Sequence, residues 1–267
     1  MTADNSISFT LPSRLFKPSQ TSTVLKTVDC HAGGEPARIV FSGVPPFPSD
    51  CDTALKKRNY MMEHFDHLRK VLLLEPRGYP CQNVDFVFKP AKEGGNFQYV
   101  IGEQNKIYPL MSGHNTIATA TALLESGVVK MSYPLTKFTL ESPGGPIEIT
   151  ADCDDGAVHS VTLKNTPSFV EILDLEVNVP HGGVGTVKVD IAYGGMWYAV
   201  VDLKQFHDHP TLNMALESAN GSNLARIGEM IKVACREQHP VQHPTEDYPG
   251  VDILVFRDGN RNTVPMR

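Results

Sequence analysis

Residues 111–127 read MSGHNTIATATALLESG, and this stretch decides the fold because it calls for a buried helix opened by an anion-binding turn. Gly113 frees the backbone at the turn, and the Ala- and Leu-rich run from Thr116 to Glu125 favours helix. The amides of Gly113, His114 and Asn115 are then donors without intrahelical partners, and the helix dipole behind them suits a carboxylate. Ser112 precedes that cradle by one residue, so its hydroxyl can reach the carbon that carries the carboxylate. Such a placement points to chemistry at the α-carbon of an amino or imino acid. The competing reading is an ordinary helix cap, since glycine before a helix is common. Ile117, Ala118, Ala120, Ala122, Leu123 and Leu124 make the helix apolar almost all round, which puts it inside its domain.

Strands surround this helix on both sides in the sequence. Val24 to Asp29, a Gly33–Gly34 turn and Ala37 to Phe41 form a hairpin signal. The segment GVPPFPSD ends it and offers Ser49 or Asp50 as a helix cap for an amphipathic surface helix over 53–70. Val71 to Leu74 is a short apolar run, and Val84 to Phe88 and Phe97 to Ile101 read as strands. Beyond residue 127 the strand signals are Phe138 to Leu140, Ile147 to Ala151, Val158 to Leu163, Val184 to Ala192, Met196 to Val201 and Val251 to Phe256. A second helix is expected over 212–237, with Leu216, Leu224, Ile227, Ile231 and Ala234 on one face. Hairpins followed by a helix occur twice, so an α/β (α+β) chain of two lobes is expected: a flexible leader over 1–22, a first lobe over 23–140 and a second over 141–267.

Composition narrows the function. The 267 residues carry a formal net charge of −6 with no Lys/Arg cluster, which argues against a nucleic-acid surface. No apolar run approaches the roughly 18 residues that span a bilayer. Five cysteines, odd in number and without a CxxC pair, fit reduced thiols and a cytoplasmic location. Cys30 and His31 are adjacent on a strand and point to opposite faces, and prolines 240 and 244 deny His239 and His243 a shared helical face beside Asp247, so no metal site is expected. His31, Gly33, Gly34 and Glu35 read first as a hairpin turn, and Glu75 and Arg77 as a structural corner. Asp190 with Gly194 and Gly195 reads equally as a site wall or a strand bulge.

Three segments in order resemble the proline racemase family: TVDCHAGGEPARIVFSG its opening segment, LLLEPRGY its E-P-R-G element and MSGHNTIA its M-C-G-H motif. KNTPSFV and VKVDIAYGGMWYAVVD are similar to its second-lobe strands. The resemblance implies two lobes of the diaminopimelate epimerase type, each a curved sheet around a buried helix, working without cofactor on proline or hydroxyproline. It also implies Ser112 as a proton-transfer residue, the Gly113, His114 and Asn115 amides as the carboxylate site, and the His114 side chain near the substrate's ring nitrogen. The partner is then a small imino acid, with a homodimer as the one macromolecular assembly left open.

Two departures qualify the resemblance. Ser112 stands where the family's racemases have cysteine, and an alcohol is a far weaker base than a thiol. In the family, serine there goes with hydroxyproline epimerases and trans-3-hydroxy-L-proline dehydratases, so both are favoured over proline racemisation. The family's second motif, D-R-S-P-C-G-T-G-T-S, does not occur before VDILVFRDGNRNTVPMR ends the sequence. A shortened chain with an incomplete second lobe is expected, with little or no activity alone. The alternative to an enzyme is an inactive member that binds imino acids or pairs with an intact copy.

Overall fold

A computed structural model describes residues 24–210 and 212–259; the expected leader over 1–22 lies outside them. The chain divides into two compact units at Thr166/Pro167.

In the first unit seven strands run in sequence order across one sheet: β1 (Lys26–Ala32), β2 (Glu35–Ser42), β3 (Asn83–Phe88), β4 (Phe97–Gly102), β5 (Leu135–Ser142), β6 (Gly145–Asp154) and β7 (Ala157–Lys164). The β2–β3 and β4–β5 pairs are parallel, and a parallel neighbour needs a crossover. The first crossover holds α1 (Ala54–Tyr60) and α2 (Asp66–Leu73); the second holds α3 (Gly113–Glu125). Helix α3 touches β1, β2 and β3 and also β7, at opposite ends of the strand order. A sheet whose two ends meet one helix has to curl around it, which is the expected curved sheet around a buried helix.

Side-chain alternation sorts the two faces of this sheet. Ala37, Ile39, Phe41, Val87, Tyr99 and Ile101 point inward to pack on Ala118, Ala122 and Leu123 of α3. Val40, Val84, Phe86, Phe88 and Val100 point outward against Met61, Leu68, Leu72 and Leu73. Strand β3 is consequently buried at all six positions.

The sequence placed three features of this unit differently. Residues 141–166 belong to the first sheet rather than to the second lobe, because β5, β6 and β7 pair in an unbroken antiparallel series. The single helix expected over 53–70 is interrupted by a π-helical turn, Met61–Phe65, and resumes to Leu73, absorbing the apolar run that begins at Val71. Its cap is Thr53, which accepts from the Lys56 amide (3.3 Å), and not Ser49 or Asp50.

The second unit has a four-stranded sheet in the order β11-β10-β9-β8, built from β8 (Phe169–Val179), β9 (Gly185–Tyr193), β10 (Trp197–Asp202) and β11 (Ile253–Arg257). Helix α4 (Gly221–Gln238) is the crossover that makes β11 parallel to β10, and it packs on one face of the sheet against β8 and β11. Ile227, Gly228, Ile231, Ala234 and Cys235 are its buried residues. It starts at Gly221 rather than near residue 212, and Leu216 is exposed. Unlike α3, this helix lies on its sheet without being enclosed. No helix of the described residues is long and apolar enough to cross a membrane.

Candidate functional site

Ser112 is the N-cap of α3, with extended backbone (φ −141°, ψ 130°), yet its side chain does not cap the helix. Its carbonyl accepts from the Thr116 amide (3.0 Å) and hydroxyl (2.6 Å), and its Oγ lies 3.0 Å from Asn115 Nδ2 and 3.3 Å from His114 Nδ1. A serine cap normally occupies the amides of the first turn. Here the hydroxyl is turned to its two neighbours, and among the described residues no hydrogen bond ends on the amides of Gly113, His114 or Asn115. Gly113 has no positive φ, so the backbone freedom expected of it is not used. A Cβ there would meet no atom beyond its chain neighbours within 4 Å, so the side of Gly113 on which a side chain would stand is open. Anions bind at such an end because the donors and the helix dipole point the same way.

The His114 ring is held at both nitrogens, since its Nε2 is 2.9 Å from Asn83 Nδ2 at the start of β3. Burial lowers its pKa from the ordinary histidine value, against an opposing pull from Glu35, and the neutral ring is favoured.

Behind the first turn the helix is less apolar than its sequence reads. Thr116 Oγ1 is 2.6 Å from the Tyr99 hydroxyl, and the Thr119 hydroxyl donates to Asp85 Oδ2 (3.0 Å). Asp85 is fully buried, and burial holds its carboxyl well above the usual carboxylate range although the Thr119 bond opposes this. Cys30, half-buried, is pushed up to about 11, first by burial and then by the acidic groups Glu125, Asp29 and Asp85. Burial thus favours the neutral forms of Asp85 and Cys30. Sequence reading missed Asn83 and Asp85; the readable signal was a carboxylate at an inward position of the β3 alternation, next to Phe86 and Phe88 facing out.

The other candidates take structural places. Gly33 and Gly34 have φ of +60° and +97°, as a two-residue hairpin requires, and the Gly34 amide donates to His31 Nδ1 (3.2 Å). Glu35 is exposed beside them. Arg77 donates from Nε to the Val71 carbonyl (2.9 Å), and its own carbonyl takes one of the bonds from Arg38, which also grips Asp29. The exposed Glu75 shares that corner. Asp190 accepts from the Asp174 amide (3.0 Å) where β8 bulges and Asp174 takes φ +53°, so the bulge reading holds there. Gly194 and Gly195 form the β9–β10 turn. Trp197 is fully buried and donates to the Tyr248 carbonyl, packed edge-on to Phe169 and Tyr193. His243 packs edge-on to Tyr193 and accepts from the Glu246 amide (3.1 Å); His239 ends α4, and Asp247 lies in the loop that follows.

A serine-led helix with free amides, enclosed by a curled sheet, sits within a region that matches the family model Proline racemase over residues 27–265. The chain belongs to the proline racemase family. It is 36% identical over 235 residues to a 4-hydroxyproline 2-epimerase of Rhizobium etli, covering 88% of this chain and 66% of that protein. It is 34% identical over 240 residues to a trans-3-hydroxy-L-proline dehydratase of Bacillus thuringiensis subsp. konkukian, covering 90% and 68%. Among solved structures it resembles a hydroxyproline epimerase from Agrobacterium vitis with bound trans-4-hydroxy-L-proline (TM-score 0.80, 32% identity, 90% of this chain and 67% of that one). A probable proline racemase from Agrobacterium radiobacter K84 with bound carbonate is similar (TM-score 0.79, 34% identity, 89% and 68%). The proline racemase family members of this group share the diaminopimelate epimerase-type fold, to which this mixed α/β chain with its curled sheet also belongs. The chain spans 66% of the length of the curated epimerase relatives.

Proposed function

We propose that this chain carries the first-lobe half of a cofactor-independent site that moves the α-proton of an imino acid, with hydroxyprolines preferred over proline. The observation that carries this reading is the joint one at α3: free amides at 113–115 for the carboxylate, with the Ser112 hydroxyl beside them. Ser112 is the acid/base group, and the similarity to two hydroxyproline enzyme classes supports epimerisation or dehydration as the outcome. Both begin with loss of the same α-proton, which is why one site serves either.

A second reading is favoured by a specific observation. Asp85, bonded to Thr119 of α3, and Cys30, packed in the core around the same helix, both have their pKa raised by burial above all, so neither is suited to serve as an ionised strong base. On that reading the chain holds an imino acid without turning it over, or does so paired with a second copy. Five unpaired cysteines support a reducing compartment and so a cytoplasmic setting.

Incubation in D2O with L-proline, trans-4-hydroxy-L-proline and trans-3-hydroxy-L-proline separates these. Loss of the α-proton signal from a hydroxyproline, abolished in Ser112→Ala, is the expected result. Binding seen as shifts of the 113–115 amide signals without exchange selects the non-catalytic reading. Neither shifts nor exchange with any of the three compounds overturns both.

A further inference from the structure

We infer that Asn83 is a positioning residue that locks His114 in the Nδ1–H form and thereby makes the Ser112 hydroxyl a proton donor facing open space. The inference deepens the proposed function and rests on it for the identity of the group that receives the proton.

The chain of hydrogen bonds has a direction. An amide nitrogen can only donate, so the contact of Asn83 Nδ2 with His114 Nε2 (2.9 Å) makes Nε2 the acceptor. A neutral ring carries one proton, which must then reside on Nδ1. Nδ1–H points at Ser112 Oγ (3.3 Å), and Asn115 Nδ2 donates to the same oxygen (3.0 Å). A hydroxyl oxygen has two lone pairs, and both are taken. Its own hydrogen is left for a third direction, and the open Cβ side of the adjacent Gly113 gives room for an acceptor.

Asn83 is built for the task. It is nearly buried at the first residue of β3, in parallel register with Ala37 of β2, which fixes its backbone. Asn115 is fully buried and its Oδ1 has no partner, so the amide is spent on the bond to Ser112. When Ser112 gives up its proton, the O–H bond breaks and a bond forms at the substrate carbanion, whose electron pair is consumed. The negative charge moves to Oγ, where the two N–H donors already point and need not reorient. The reverse transfer returns the α-proton to the same oxygen.

The test reads the ring itself. In the full chain labelled with 15N-histidine, the His114 signals are assigned by their absence in His114→Gln. Wild-type His114 is expected to show a protonated Nδ1 and an unprotonated Nε2 at neutral pH. Asn83→Asp replaces the donor with an acceptor, so the proton is expected to move to Nε2 or the ring to hold two. Asn83→Leu is expected to release the lock and give a mixed signal. A protonated Nε2 in wild type, or an unchanged ring in a folded Asn83→Asp, overturns the inference. Because the ring spectrum needs no substrate, a failure of α-proton exchange with the expected tautomer present would count against the proposed reaction and leave the lock standing.

Discussion

The two units use the same opening phrase and finish it differently. Each has an antiparallel strand pair followed by a helical crossover to a parallel strand: β1–β2 with α1, α2 and β3 in the first, β9–β10 with α4 and β11 in the second. In the first unit a further crossover runs α3 along the opposite face, and β3 is buried at every position. In the second the described residues include no helix on that face, and β11 is fully buried at none of its five positions. Val255 is 39% exposed, and Val170 58%. A helix N-terminus becomes a site when its amides are free and its flanks are fixed, and enclosure by a sheet supplies the second condition. Helix α4, capped by Asn220 without a side-chain bond and exposed at Gly221, Ser222 and Asn223, has no such surround.

The largest contrast is expected in chemistry. Ser112→Ala should reduce α-proton exchange by about 10²- to 10⁴-fold, the usual worth of a general acid or base, while Asn220→Ala at the start of α4 leaves it unchanged. Exchange rates followed by proton NMR in D2O check this, and equal losses from both changes would erase the distinction between the two helix ends.

Stability should separate the units next. Leu123 on α3 and Ile231 on α4 are both fully buried. Truncation to Ala costs about 2–5 kcal/mol at such positions, depending on how far the surroundings collapse. Leu123→Ala is expected near the upper end because sheet surrounds it, and Ile231→Ala near the lower. Urea unfolding reads both, and equal losses would mean that the two sheets hold their helices equally.

In the acid range a pH signature is expected from the first unit. Burial raises the Asp85 carboxyl well above the ordinary 3.8 in the folded state, so above that pH the native state binds more protons than the unfolded chain. Stability should therefore fall as pH rises from 3.8 toward the raised folded value, by at most about 1.4 kcal/mol per pH unit. Asp85→Asn has no such proton to hold and is expected to flatten the slope. Urea midpoints across the acid-to-neutral range decide; an unchanged slope would mean that Asp85 is ionised in the fold.

The smallest effect is a difference in labelling rate. Cys153 and Cys235 are both buried, one in the first sheet and one on α4, whereas Cys81 is exposed. Under native conditions a thiol reagent should modify Cys81 at once, Cys235 slowly and Cys153 last, since local opening comes more easily where a sheet is covered on one face. Cys153 reacting before Cys235 would reverse the ranking of the two units.

Much of this was readable in the residues. The period of two in β2, β3 and β6, the Gly33–Gly34 turn and the apolar run of α3 are local signals, and each produced its element. Only the start of β8 was covered, through the family resemblance of KNTPSFV, and its residue pattern did not show the rest, because register shifts between Val170 and Leu175 break its alternation and leave Val170 and Leu173 exposed. The interruption at Met61–Phe65 was hidden for the opposite reason: its residues keep helical spacing and differ only in which carbonyl each amide chooses.

From the sequence alone came the family, the curled α/β fold and the serine that opens α3, since these rest on residue types at fixed spacings along one stretch of chain. The tertiary structure decided where the first unit ends, that Asp85 is fully buried with its carboxyl raised above the usual range, and that His114 is held between Asn83 and Ser112. Those facts depend on strands 30 or so residues distant in the chain meeting a helix. Burial and hydrogen-bond direction do not exist until such groups meet in space.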